Sequence, residues 1–278
     1  MPEGPETKYL VNWLNRDLKN KSIKNILIHG GRYKRHGPPK NFNKIKYPLK
    51  VDKIDCHGKF IYWTFKNTDI VLFNTLGMSG WYQYDNDKHN NIEFKFSDFS
   101  IYFNDYRNFG TFIFCFKENL DKKLITLGPD ILSEKNNFDH FLKKINKKRN
   151  DTVIGAAIMD QKVSAGVGNY IRAEALYLAK LNPFKKIKDI NEDKLLELWN
   201  ILKQIGWLYY DEKRGKKLGI INNQYKLYNL YKKFGPSKYK REPGYFLVYQ
   251  QKEDPLGNKV TTDVINGRTI HYVKSIQK

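Results

Sequence analysis

Between residues 21 and 118 the chain breaks into short β-rich runs, at 22–29, 49–56, 59–66, 70–74, 81–84, 92–96, 100–104 and 111–116. They are built largely from Ile, Phe, Tyr, Trp, Val and Thr, which suit a pleated, half-buried surface. Turn residues punctuate them: Gly30-Gly31, His57-Gly58, Asp85-Asn86 and Asn108 to Gly110. Many short strands with turn signals at close intervals predict a β-sandwich.

The flanks read differently. A helix is expected from Pro5, because Leu10, Val11, Leu14 and Leu18 form an apolar stripe at helical spacing. Proline suits its first position, where a missing N–H costs nothing. Residues 127–150, dense in Lys and Asn, read as a linker containing a short helix. Helical patterns follow at 152–161, 169–180, 191–207 and 223–234. β texture returns in the tail, with runs at 246–250, 259–264 and 269–274 and turn signals at Gly257-Asn258 and Asn266-Gly267. The expected class is α+β, divided into a β domain (1–126), a linker (127–150), a helical domain (151–240) and a small β-hairpin tail (241–278). No repeat of 20 to 50 residues is visible.

Charge narrows the partner. Fifty Lys and Arg against 29 Asp and Glu leave +21, on a chain whose 40% apolar content lets it fold. That excess favours a polyanion, nucleic acid first and an acidic membrane second. Solubility through surplus lysine is the plain alternative. No run of 18 apolar residues exists, and MPEGPETKYL lacks the shape of a secretory signal. The cysteines are Cys56 and Cys115 alone, which excludes a disulfide scaffold and a four-cysteine zinc site. A reducing intracellular compartment is the expectation.

The N-terminus carries the most chemistry. Pro2 follows the initiator Met, and a small second residue normally permits Met removal, exposing a secondary amine. An α-amino group is roughly a tenth neutral at pH 7, whereas a lysine is neutral only about 0.04% of the time. A neutral amine can attack a carbonyl carbon; with proline the product is an iminium, charged at any pH and an electron sink. Glu3 and Glu6 flank it. One carboxyl can serve as general acid while the other orders the amine or a water. Acidic residues in a first helical turn also simply complement the helix dipole.

MPEGPE resembles the start of the Fpg/Nei family of DNA glycosylases. Further motifs follow in the family's order. They are Leu76-Gly77-Met78-Ser79-Gly80, Asp105-Tyr106-Arg107-Asn108-Phe109-Gly110 and Leu127-Gly128-Pro129-Asp130. After them come Met159-Asp160-Gln161, Gly166-Val167-Gly168-Asn169 with Glu174, Pro243-Gly244-Tyr245 and Gly267-Arg268-Thr269. The resemblance implies an N-terminal helix and β-sandwich, a helix–two-turn–helix domain and a C-terminal finger. It also implies a bifunctional enzyme that releases a damaged base and then nicks the strand by β,δ-elimination.

By matching position, Pro2 is the nucleophile on C1′, Glu3 protonates the opening sugar and Glu6 orders the nucleophile or a water. Lys59 contacts the phosphate beside the lesion, although a solvated strand-end lysine reads as well from sequence. Arg268 grips phosphates with its rigid fork. Asn169 opens a helix after a glycine turn, at once a phosphate site and an ordinary N-cap. Met78, Arg107 and Phe109 fill the void left by the extruded base; core packing is the other reading of Met78 and Phe109. Glu174 lines the base pocket or forms a buried salt bridge.

Three departures qualify the match. Relatives with zinc hold it in the finger through two C-x-x-C pairs, whereas Val273 and Ile276 occupy the second pair here and no cysteine lies in 252–259. The finger is expected to be zincless, held by packing of Ile270, Tyr272, Val273 and Ile276 and by hairpin hydrogen bonds, with no metal or cofactor. Thr75 stands where several relatives carry histidine, and 213–241, the neighbourhood of the lesion-covering loop, matches poorly. The zincless finger inclines the reading to the Nei-like branch and to oxidised pyrimidines, ring-opened purines or hydantoins. The expected partner is duplex DNA holding an oxidised base or abasic site, with single-stranded DNA a further candidate, engaged by a monomer and away from membranes. The alternatives are a catalytically inactive DNA-binding protein of this fold and a basic RNA-binding protein.

Overall fold

The computed structural model describes residues 1–135, 137–210 and 246–278. The helix expected at 223–234, the Pro243-Gly244-Tyr245 motif and the 213–241 segment lie outside the described residues. The chain forms two compact units, Met1–Thr126 and Leu127–Lys278.

The first unit opens with helix α1 (Gly4–Leu18), followed by β1 (Ser22–Ile23), β2 (Asn25–Ile28) and the short helix α2 (Gly31–His36). Then come β3 (Leu49–His57), β4 (Phe60–Phe65), β5 (Ile70–Thr75), β6 (Trp81–Gln83), β7 (Asn90–Lys95), β8 (Ser100–Asn104), β9 (Thr111–Phe116) and helix α3 (Lys117–Thr126). Two antiparallel sheets result, in orders β1-β3-β4-β5-β9 and β2-β7-β8-β6. Their inner faces meet through aromatics: Trp63 of β4 stacks on Phe94 of β7 at 5.3 Å, and Phe112 of β9 meets Phe103 of β8 edge-on at 4.7 Å. The sandwich expectation holds. The expected run 22–29 splits at Lys24, so β1 joins one sheet and β2 the other.

Helix α1 buries the stripe of Leu10, Val11, Leu14 and Leu18. Two pins fix its direction along β3: Asn15 accepts the Ile54 N–H at 3.0 Å, and Lys8 pairs with Asp55 at 3.4 Å. The helix N-terminus therefore points toward the His57 end of β3, where a two-residue turn carries Lys59.

The second unit contains α4 (Phe138–Ile145), α5 (Ile154–Ala157), α6 (Asn169–Leu178), α7 (Glu192–Tyr210) and the hairpin β10 (Thr261–Ile265) and β11 (Arg268–Tyr272). Asn266 and Gly267 both take positive φ, as a two-residue hairpin turn requires. Three expectations are corrected. Residues 127–150 are no free linker: Ile131, Leu132, Phe141 and Ile145 enter the core, and Phe141 stacks on Trp199 at 4.9 Å. The helix expected at 152–161 shrinks to Ile154–Ala157, because polar side chains claim the backbone beyond it. Ser164 Oγ donates to the Ile158 carbonyl at 2.6 Å, and Asp160 accepts the Lys162 N–H at 2.8 Å. The run 246–250 forms no strand, because the N–H groups of Leu247, Val248 and Tyr249 turn to the carboxylate of Glu174.

Candidate active site and nucleic-acid interface

Pro2 is half-buried and Glu3 is buried. Glu3 caps α1 and Glu6 closes a reciprocal capping box, its carboxylate accepting the Glu3 N–H at 2.8 Å. The cap reading of the two acidic residues is thereby met. The box fixes both carboxyl groups at the first turn, directly after Pro2, the candidate nucleophile. Lys59 is half-buried at the β3–β4 turn, where Gly58 supplies the positive φ. Thr75, in place of histidine, spends its hydroxyl on Thr111 Oγ1 at 2.6 Å.

The void-filling candidates stand out from the surface. Met78 is 40% and Phe109 56% exposed, and Arg107 is exposed as well. Core packing is therefore not the role of Met78 or Phe109. Their two turns are welded at the base. Buried Asp105 accepts the hydroxyl of Ser79 and the N–H of Gly110 at 2.7 Å, and Ser79 Oγ accepts the Arg107 N–H at 3.1 Å. Gly77, at positive φ, lies so close to the second turn that a Cβ would sit 2.6 Å from the Phe109 carbonyl carbon. The weld presents an apolar thioether, an aromatic ring and a guanidinium together, the set needed to fill a gap in a base stack and pair with the base left behind.

In the second unit the turn before α6 is shaped by Gln161. Its amide donates to the Met159 and Val167 carbonyls at 3.0 and 2.9 Å and accepts the Gly166 N–H at 2.9 Å. The Leu127-Gly128-Pro129-Asp130 segment is stitched alongside: Gly128 N–H donates to the Gln161 carbonyl, and the Ala165 N–H to the Pro129 carbonyl. A side chain on Gly128 would overlap the backbone of Val163. The result presents Asn169, half-buried, at the first turn of α6.

Arg172, one helical turn later and 1% exposed, joins this helix to the tail. Its guanidinium donates to Asn169 Oδ1 at 3.3 Å, to the Gly155 carbonyl at 3.3 Å and to the Thr269 carbonyl at 2.9 Å. Thr269 adjoins exposed Arg268, so one buried arginine brings the two phosphate-binding candidates, Asn169 and Arg268, onto one frame. Glu174 has a different task from base-pocket lining. It is wholly buried, and it accepts the N–H groups of Leu247, Val248 and Tyr249 at 2.7, 2.9 and 2.9 Å.

Three family models match: the formamidopyrimidine-DNA glycosylase N-terminal domain over residues 1–112, its H2TH domain over 127–206 and its C-terminal domain over 239–278. A formamidopyrimidine-DNA glycosylase of the Wolbachia strain of Brugia malayi is 32% identical over 68% of this chain and 71% of its own. The Ureaplasma parvum protein of that name is 27% identical over the full length of both. The chain belongs to the formamidopyrimidine-DNA glycosylase family. The fold agrees: the Thermus thermophilus protein superposes with TM-score 0.76 at 21% identity, covering 99% of this chain and 98% of that one. The Lactococcus lactis enzyme bound to abasic-site DNA gives 0.76 at 21%, covering 99% of each.

Within that family the tail of this chain is held by buried polar side chains. Asp254, 1% exposed, accepts the N–H groups of Leu256 and Asn258 at 2.9 and 2.8 Å and the hydroxyl of Tyr177 at 3.0 Å. Burial and the Asp254 charge push the Tyr177 phenol up, so it stays a donor. Gln277, equally buried, accepts the Val273 N–H at 2.7 Å and donates to the Leu181 carbonyl at 3.0 Å. The two turns at 254–258 and 273–277 are thus each closed by one side chain and tied to α6 or its end. Sequence reading missed Ser79, Asp105, Arg172, Asp254 and Gln277 as positioning residues. Ser79 and Asp105 lay inside quoted motifs; the other three carried no local signal.

Proposed function

We propose that this chain, with Met1 removed, is a base excision repair glycosylase and abasic-site lyase working through Pro2. The proline nitrogen bonds to C1′ as the glycosidic bond to the damaged base breaks, with Glu3 delivering a proton to the opening sugar. The resulting iminium draws electrons from C2′–H, so a proton is lost there and the 3′ phosphate leaves; a second elimination releases the 5′ phosphate and leaves a one-nucleotide gap. The observation that carries this reading is the capping box, which holds the Glu3 and Glu6 carboxyl groups in the first turn that directly follows half-buried Pro2. The exposed Met78–Arg107–Phe109 wedge supplies the means of holding a duplex open.

Oxidised pyrimidines, ring-opened purines and hydantoins are the proposed lesions. A structure of the Lactococcus lactis enzyme holds DNA with an oxidised pyrimidine, which supports this range for a relative. The relatives named above carry the formamidopyrimidine name, so the Nei-like inclination rests on the cysteine-free finger alone. An intracellular location belongs to the same proposal, in keeping with free Cys56 and Cys115; among the described residues no helix is long and apolar enough to cross a membrane.

Borohydride reduction tests the covalent step. The chain should become crosslinked to an abasic or oxidised-base duplex, and Pro2→Gly or retention of Met1 should abolish most of the product. Binding to a lesion panel with no crosslink on any member would instead establish the inactive DNA-binding reading.

A further inference from the structure

The helix α2 was not foreseen, and none of the roles above uses it. Its six residues include Arg32, Lys34, Arg35 and His36, with Lys40 just beyond and no acidic residue in its first turn. All five side chains are exposed. None of them has an ion-pair partner among the described residues. The four of them that carry charge, Arg32, Lys34, Arg35 and Lys40, left unneutralised in this way, raise the local potential and favour a polyanion.

Its position gives the cluster a direction. The His29 and Gly30 N–H groups donate to the Asn91 carbonyl at 2.9 and 3.2 Å. Gly31, at φ +68°, lies so near the wedge that a Cβ would sit 2.5 Å from the Asn91 side chain and 2.7 Å from that of Asn108. Asn108 stands between Arg107 and Phe109. With its amide turned to satisfy its neighbours, its oxygen accepts a hydrogen bond from Arg35 at 3.2 Å. Tyr33 bolts the helix down, donating to the Phe112 carbonyl at 3.0 Å and accepting the Phe112 N–H at 2.6 Å. Burial pushes this phenol up, so the bolt does not titrate near neutrality. Arg32 lies over the Tyr33 ring at 5.7 Å. The cations are therefore mounted on a fixed platform whose edge is the void-filling loop. The one aromatic ring of α2 is turned inward against β9, so the platform offers nothing apolar for insertion into a membrane.

We propose that α2 is a second grip on the phosphodiester backbone of duplex DNA, seizing phosphates that flank the point where Arg107 and Phe109 enter the stack. The proposal rests on the glycosylase reading, because wedge insertion is what brings those phosphates to α2. A six-residue helix is about 9 Å long, and one strand presents a phosphate about every 3.4 Å of axis, so about three phosphates are within its span.

The test is the salt dependence of binding to a duplex carrying a stable abasic-site analogue. Each phosphate contact adds about 0.9 to the slope of log affinity against log salt. For the triple variant R32A/K34A/R35A the slope should be shallower by up to about 2.7. Between 50 and 200 mM salt the wild type should then lose about 40-fold more affinity than the variant. Lys34→Glu alone changes an exposed side chain and should lower the slope by about 1, which keeps the test intact should the triple variant unfold. Slopes unchanged from wild type in both variants would overturn the second grip. A wild-type chain that does not bind the damaged duplex at all would overturn the glycosylase reading instead.

Discussion

Arg172→Met offers the sharpest test of how the second unit assembles the phosphate grip proposed for Asn169 and Arg268. Among the described residues the wild-type guanidinium donates to the Thr269 carbonyl at 2.9 Å, a short bond, and to Gly155 and Asn169 at 3.3 Å, longer ones. Bonds to a charged group contribute about 1.5–3 kcal/mol each at good geometry. Taking about 2 kcal/mol for the short one and about 1 for each long one gives about 4 kcal/mol. A buried methionine recovers about 1 kcal/mol by its apolar contacts, leaving a net loss of about 3. For a body of 150–250 residues this lowers Tm by about 9 °C. Binding carries the decisive readout. If Arg172 acts by aligning the hairpin, Arg172→Met should weaken affinity for abasic-analogue duplex about as much as Arg268→Ala, about tenfold, and flatten the salt slope similarly. The double variant should then be hardly weaker than Arg268→Ala, since the two changes remove one function. Full additivity of the two losses, or an unchanged Tm in Arg172→Met, would refute the frame.

Glu3→Gln keeps a side-chain acceptor for the helix cap and Glu3→Ala does not, so only the latter should lose about 1 kcal/mol of stability. Both should lose base release by about 10²- to 10⁴-fold in single-turnover assays, and full activity in Glu3→Gln would strip Glu3 of its acid role. Burial, and then the charge of Arg172, hold the His271 pKa below the usual histidine value. The unfolded chain then takes up a proton first as pH falls below about 6.5. This stability is present above that pH and is lost as pH drops toward the depressed folded value; His271→Asn should remove that component from Tm measured between pH 5 and 7. Chelators should leave activity intact and metal analysis should find no stoichiometric zinc. Asp254→Ala should cost about 3 kcal/mol or more by stripping bonds from two N–H groups and a phenol, read by denaturant unfolding and not restored by added zinc.

Much of the fold was legible because it is written in local periodicity. The α1 stripe, the hairpin turns at Gly58 and Asn266-Gly267, and most strands of the sandwich follow from residue order alone. What escaped depended on partners far along the chain. Residues 246–250 carry apolar side chains that suit a strand, yet their N–H groups are consumed by a carboxylate more than 70 residues earlier. A short helix within 127–150 was expected and α4 is there, but its place in the core was hidden because lysines and asparagines surround the few apolar residues, Phe141 and Ile145 among them, that it buries.

The site divides along the same line. The groups proposed to meet DNA or sugar sit in short motifs, because chemistry needs particular residue types at exposed turns, and such turns announce themselves. Groups that hold those turns in place need only a bond of the right length, and that partner can come from anywhere. The finger makes the case plainly. Without cysteines its two turns lack metal ligands, and packing of Ile270, Tyr272, Val273 and Ile276 together with hairpin hydrogen bonds was the expected substitute. Ile270, Tyr272 and Val273 are buried and β10 pairs with β11, but apolar contacts are not directional, and the hairpin bonds hold the two strands to each other and not to α6. Direction comes from Asp254, Gln277 and Arg172, each tying the tail to α6 or the chain beside it. The phosphate fork proposed for Arg268 works only when its bearing on α6 is fixed, so a finger without cysteine ligands requires directional bonds at these places, and any polar residue of suitable length could have supplied them.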